Sequence, residues 1–204
     1  MQESMLESFH TQNCIEAGCD EAGRGCLAGP VYAAAVIFPA DYHNADLNDS
    51  KQLSDKKRKI LREQIVKDAI AWAVGIVDNH KIDEINILNS SILAMHQALD
   101  KLSMRPEHII IDGNKFKPYN QIPFHCIVKG DGKYLSIAAA SILAKTFRDD
   151  YMDELHQKYP MYDWISNKGY PTLKHKLAIE KYGFTEFHRL TFNAKISQQL
   201  TIHF

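Results

Sequence analysis

Two adjacent carboxylates, Asp20 and Glu21, close an apolar run and are followed at once by Gly23-Arg24-Gly25. Acids in a half-buried position are costly unless paired, hydrogen-bonded or bound to a cation, so this pair needs a compensating partner. Glycines on both sides of Arg24 remove Cβ atoms where a backbone must approach a bulky ligand, and the guanidinium offers a planar fork of donors to a phosphate. Asp112, before Gly113, and Asp131, after Gly130, end two further apolar stretches. In one pocket such acids would raise one another's pKa values unless a divalent cation neutralised them. Hard oxygen donors favour Mg²⁺ or Mn²⁺, and two ions roughly 3.5 to 4 Å apart can activate a water and stabilise a leaving oxygen. The chemistry in view is metal-dependent hydrolysis of a phosphodiester. Glycosidases also pair carboxylates, but adjacent acids on one strand are poor geometry for groups that must flank a bond.

These acids converge only if the elements carrying them end together. Apolar runs at 15–19, 31–38, 72–77, 108–111 and 124–128 read as strands, the first two joined antiparallel through Gly29-Pro30. Ser54 caps an amphipathic helix over 55–69, and apolar spacing predicts one longer helix over 83–102. The alanine-rich stretch 136–151 suits a tightly packed helix, and 172–181 forms another after the Asn167–Pro171 loop. The pattern is a mixed α/β sheet with helices packed on it, whose ligands belong beyond strand ends. Strand neighbours point to opposite faces, so Asp20 and Glu21 share a pocket only at a strand end or bulge.

The 204 residues fit one core: a polar, frayed segment at 1–13, a catalytic domain over 14–194 and a tail at 195–204. A net charge of −1 argues against binding nucleic acid by bulk positive charge, but not against a local basic groove. Cys14, Cys19, Cys26 and Cys126 lack paired zinc-ligand spacing. With no apolar signal core and no membrane-length run, the expectation is a cytoplasmic monomer without membrane contact. Ile196, Leu200, Ile202 and Phe204 recur at loosely helical spacing in the tail, which either docks on the domain or carries a sliding-clamp peptide beginning near Gln198.

The ordered motifs resemble those of the bacterial ribonuclease HII family, the type 2 ribonucleases H. Asp20–Gly25 resembles its signature, Asn48–Leu53 its second motif, Ile111-Asp112-Gly113 its third and Lys129-Gly130-Asp131 its fourth. Ala138–Lys145 with Arg148-Asp149 resembles its long helix, and Gly169–Thr172 with His175 its C-terminal substrate element. The resemblance implies an RNase H-like fold: a mixed five-stranded sheet flanked by helices, with a small helical C-terminal extension. It implies an endonuclease that cuts the RNA strand of RNA-DNA hybrids. It further implies cleavage 5′ of a single ribonucleotide in duplex DNA, leaving a 3′-hydroxyl and a 5′-phosphate. On this analogy Asp20, Glu21, Asp112 and Asp131 bind Mn²⁺ or Mg²⁺ and catalyse, while Gly23, Arg24, Gly25 and Tyr170 recognise the ribonucleotide. A 2′-hydroxyl is the handle that marks one ribose in DNA, and close glycine backbone with a tyrosine on the sugar can sense it.

Several residues keep two readings. Asp149 or Asp150 competes with Asp131 for the acidic slot, although Asp149 could pair with Arg148 and Asp150 reads first as a solvated helix residue. Lys51 is a phosphate contact or an exposed lysine, and Lys56-Lys57-Arg58-Lys59 is first a solvated helix face. Lys168, Lys174 and Lys176 around Tyr170 form a candidate backbone-tracking patch. His175 caps a helix, binds phosphate or packs quietly, and Tyr159, Tyr162 and Trp164 read as packing. Another metal nuclease or a non-catalytic hybrid-binding module would share the acids, but the former gives no reason for Gly23-Arg24-Gly25 and Tyr170 to occur together.

Overall fold

The computed structural model describes residues 6–47 and 53–195. Lys51 and the tail residues from Ile196 onward, including the clamp-peptide position near Gln198, lie outside the described residues. Five strands, Glu16–Ala22 (β1), Val31–Ile37 (β2), Ala71–Val77 (β3), His108–Asp112 (β4) and Phe124–Ile127 (β5), form one sheet in the order β3-β2-β1-β4-β5. The pairs β1/β2 and β2/β3 are antiparallel, whereas β1/β4 and β4/β5 are parallel. The sheet is therefore mixed, as expected.

Helices cover both faces, which is why β2 is buried at every position. Ile87–Asp100 (α3) packs on β2 and β3, where Ala33, Ala35, Ala94, Met95 and Ala98 share one core. Leu135–Lys158 (α4) crosses the opposite face over β1 and β2, and Asp55–Asp68 (α1) packs beside it. Small residues permit this close approach: a Cβ added to Gly18 would lie 2.4 Å from the Ser136 backbone. Trp164–Asn167 (α5) and Leu173–Tyr182 (α6) build the C-terminal extension on Trp164, Tyr162 and Met152.

The structure departs from the sequence reading at four places. The helix expected over 83–102 is two, Asn79–Ile85 (α2) and α3, because Asn86 has φ +67° and its side chain caps α3 through the Asn89 N–H. The alanine-rich helix α4 continues to Lys158. The start is not frayed over residues 6–13: Glu7 exchanges backbone hydrogen bonds with Lys133 and Leu135, and Leu6 packs on the core. Finally, β1 does not stop before its acids, since Asp20 pairs with Ala34 and Glu21 with Ala33 in the ladder.

Candidate active site

Register explains how the acids meet. Cys19 lies opposite Ile111 in the parallel β1/β4 ladder, so Asp20 and Asp112 are next along it, on the same face and about one strand spacing of 4.8 Å apart. Both follow the α4 side, where Ser141 hydrogen-bonds Asp20. Glu21 belongs to the other face, yet it sits at the end of the strand and lines the same cavity, held by Arg24 Nη1 at 2.9 Å. The required exit is thus supplied by the strand terminus: Gly23 follows with φ +94° and turns the chain away.

The cavity, about 260 Å³, is walled by Asp20 to Gly25, Asp112, Ser141, Tyr170 and two cations, Arg58 from the basic run and Lys145 from the end of the alanine-rich motif. A larger cavity of about 540 Å³ lies at the start of β1, between residues 8–16 and Phe38-Pro39-Ala40, and lacks this convergence of acids and cations. Asp20 is only 4% exposed. Burial pushes its carboxyl well above the usual carboxylate range, and the charges of Glu21 and Asp112 push in the same direction. The Ser141 side chain and the Glu21 N–H oppose this without cancelling it. An all-oxygen set of crowded acids around an accessible cavity fits a hard divalent cation, whose charge reverses the sign of that repulsion.

Asp131 is buried in a short 3-10 turn, Gly130–Gly132, and does not line the cavity. The turn is nevertheless tied to the site, because Gly130 N–H donates to Asp112 Oδ1 at 2.7 Å. Asp149 does not pair with Arg148; both its oxygens accept from Lys145 Nζ, at 2.6 and 2.5 Å. Asp150 is not simply solvated, since Arg62 Nη1 donates to it at 2.5 Å. Arg58 leaves the solvated face assigned to its neighbours and donates to the Leu53 carbonyl at 2.5 Å beside the cavity.

Two buried arginines hold the loops that carry Gly25 and Tyr170. Arg148 on α4, 1% exposed, donates to the carbonyls of Pro30, Ala28 and Lys168. It thereby joins the segment after β1 to the segment before Tyr170. Arg189, fully buried, donates twice to the Gly29 carbonyl and once to that of Arg24, at 2.8 to 3.0 Å. Together they fix Gly25 opposite Tyr170, where a Cβ on Gly25 would lie 3.9 Å from the ring. The Tyr170 side chain lines the cavity and is 39% exposed, available to a ligand.

His175 does not reach substrate: it is fully buried. Thr185 N–H donates to His188 Nδ1 at 2.9 Å, which leaves the His188 proton on Nε2, facing His175 Nε2 at 3.2 Å. The Trp164 indole N–H donates to the same His175 nitrogen at 3.0 Å. The His175 proton is therefore on Nδ1 and goes to the Tyr170 carbonyl at 3.0 Å. His175 acts through Tyr170's backbone, and Trp164 with Tyr162 packs around it as expected. Of the proposed basic patch, Lys168 pairs with Asp153 and Lys174 with Asp163.

The model of the family described as Ribonuclease HII matches residues 17–195. A curated Ribonuclease HII from Bacteroides thetaiotaomicron is 62% identical over 98% of this chain and 100% of its own length. The crystal structure of the ribonuclease H2 from Pyrococcus horikoshii OT3 superposes with a TM-score of 0.78 at 26% identity, covering 92% of this chain and 99% of that one. Bst-RNase HIII in complex with Mn²⁺ shares the fold, with a TM-score of 0.69 at 20% identity over 98% of this chain and 72% of its own. Strand order, the acidic ladder and a match along almost the whole length agree, and the chain belongs to the ribonuclease HII family, a ribonuclease H hydrolase.

Proposed function

We infer that this endoribonuclease of RNA-DNA hybrids also cuts 5′ of single ribonucleotides embedded in duplex DNA, leaving a 3′-hydroxyl and a 5′-phosphate. The observation that carries this reading is the juxtaposition, in one cavity, of the acids Asp20, Glu21 and Asp112 with Gly25 and the Tyr170 ring. The acids supply the hydrolytic end. The glycine backbone and tyrosine supply a surface on which a sugar bearing a 2′-hydroxyl can lie, with the phenol able to donate or accept.

Asp20, Glu21 and Asp112 would hold Mg²⁺ or Mn²⁺, with Asp131 joining through the turn that Asp112 anchors. Mn²⁺ in the Bst ribonuclease HIII supports that choice of cation for the shared fold. Held by these residues, divalent cations would supply an attacking water of lowered pKa and positive charge to stabilise the departing 3′-oxygen. Arg24 exchanges Glu21 for a substrate phosphate, so its fork both holds the acid in readiness and tracks the backbone. Lys145 and Arg58 stand on the cavity wall, paired with Asp149 and Asp55, as donors that a substrate phosphate can recruit.

The test is cleavage of a labelled DNA duplex carrying one ribonucleotide, with Mg²⁺ or Mn²⁺, beside an all-DNA duplex, a long hybrid and Tyr170→Ala. A metal-dependent cut 5′ to the ribose, absent from all-DNA and weakened by Tyr170→Ala, is expected. Cutting confined to the long hybrid would refute the single-ribonucleotide reading, and equal cutting of all-DNA would refute recognition of the sugar.

A further inference from the structure

A second group of ligand-bearing side chains lies at the opposite end of the sheet from the acids. His108 opens β4, four residues and about 13 Å before Asp112, and pairs in the ladder with Glu16 at the start of β1. His125 comes from the neighbouring strand β5, and His10 from the segment preceding β1. One ligand nitrogen from each of the three rings lies within 4.8 Å of the others. The three positions are far apart in sequence and follow no zinc-ligand spacing, so only the fold brings them together.

Glu16 organises this group. Its two oxygens accept the backbone N–H groups of His10 at 2.8 Å and Thr11 at 3.0 Å, which sets the path of the N-terminal segment. One of them also accepts from His108 Nδ1 at 2.8 Å. The His108 proton is thereby assigned to Nδ1, and its Nε2 lone pair faces outward, 2.8 Å from His125 Nδ1. His10 stacks over His108 with ring centroids 5.7 Å apart and lies 4.7 Å from His125. A carboxylate donating orientation to a buried histidine, with two exposed histidines around its free nitrogen, is the arrangement by which proteins prepare an imidazole to bind a metal.

We propose that His10, His108 and His125 form a site for one zinc-type transition cation, with Glu16 orienting His108, and that the ion staples the N-terminal segment to the β4–β5 edge. Imidazoles on a tetrahedral ion at 2.0 to 2.1 Å stand roughly 3.3 Å apart, inside the range these nitrogens already span. Small rotations of the two exposed rings, His10 and His125, close the set, and the His125 proton moves from Nδ1 to Nε2 as Nδ1 becomes a ligand. A nitrogen-only donor set selects Zn²⁺ and its neighbours over Mg²⁺ or Mn²⁺, so the two ends of the sheet take chemically different ions. The role is structural, because the cluster is separated from the acids by the length of β4.

The experiment uses the untagged full chain carrying Asp20→Asn and Asp112→Asn, which removes the acids' competition for Zn²⁺. Equilibrium dialysis should give one bound Zn²⁺, and Co²⁺ in its place should show the intense visible bands of a four-coordinate site. Zn²⁺ at about 100-fold above its Kd should raise Tm by roughly 5 °C or more. His10→Ala and His125→Ala, both at exposed positions, should keep the circular dichroism of the parent, weaken Zn²⁺ binding at least tenfold and abolish the Tm shift. The proposal is overturned if the parent binds no Zn²⁺ at micromolar concentration, or if either histidine variant binds it as tightly as the parent.

Discussion

Acidification provides a direct probe of the histidine pair behind Tyr170. His188 is 2% exposed, and burial, reinforced by the proximity of His175, depresses its pKa from 6.5 to about 4. Burial also lowers His175. The donors already present explain why protonation is resisted: an imidazolium at His175 would turn its Nε2 from the acceptor for Trp164 into a second donor aimed at one. With the folded pKa below the unfolded value, the unfolded chain binds more protons between pH 6.5 and 4. The stability contributed by neutral His188 is therefore complete above 6.5 and disappears as pH falls through 4. At about 1.36 kcal/mol per unit, the loss from His188 amounts to about 2 kcal/mol at pH 5 and about 3 kcal/mol near pH 4. Urea unfolding of the parent and His188→Gln at pH 7 and pH 5 isolates the contribution by subtraction. The variant starts less stable, but its pH dependence should be shallower by about 2 kcal/mol. Ring-proton NMR of the folded protein should place the His188 midpoint near 4. A midpoint near 6.5, or parallel stability curves for the two proteins, would refute the buried relay.

The acidic end responds with the opposite sign. Asp20 has a raised folded pKa, so its contribution is favourable at low pH and lost as pH rises through that value; Asp20→Asn should raise Tm in EDTA at pH 7 while abolishing cleavage, and an unchanged or lower Tm would contradict the crowding of acids. Gly23→Ala forces a Cβ to within 2.1 Å of Arg148 Nε at a φ of +94°, and should cost at least about 2 kcal/mol in urea unfolding. Arg189→Lys replaces a fork that reaches two carbonyls with a single ammonium; about 3 kcal/mol of stability and at least tenfold in kcat/KM on a ribonucleotide duplex should be lost, measured by unfolding and steady-state kinetics.

Local patterns announced what depends on local chemistry. The five strands were legible because β-branched and alanine runs stop at glycine, proline or aspartate, and Ser54 and Thr172 cap the helices they precede through the N–H groups of Lys57 and His175. Asp20 and Asp112 were legible as candidates because an acid terminating an apolar run has few structural reasons to be there. Their adjacency was not legible, because it depends on parallel register between residues 92 positions apart. The break at Asn86 was hidden for a different reason. The apolar period on its two sides is nearly continuous, and the positive φ of one asparagine interrupts it.

Arg148 and Arg189 were the least visible contributors, although they hold the loops that carry Gly25 and Tyr170. A buried arginine is costly, and sequence reasoning rightly assigns such a residue first to an acid or to solvent. Here the compensation comes from backbone carbonyls of loops that no local pattern shows to be adjacent. These carbonyls belong to the Arg24–Pro30 segment and to Lys168, and they are held by guanidinium donors. The acids rest on the sheet, whereas the loops carrying Gly25 and Tyr170 rest on two cations embedded between them. It follows that chemistry and sugar recognition are separable by mutation. Loosening Arg189 should first weaken cleavage of the ribonucleotide duplex through displaced loops, while a loss at Asp20 should remove that turnover without moving the loops.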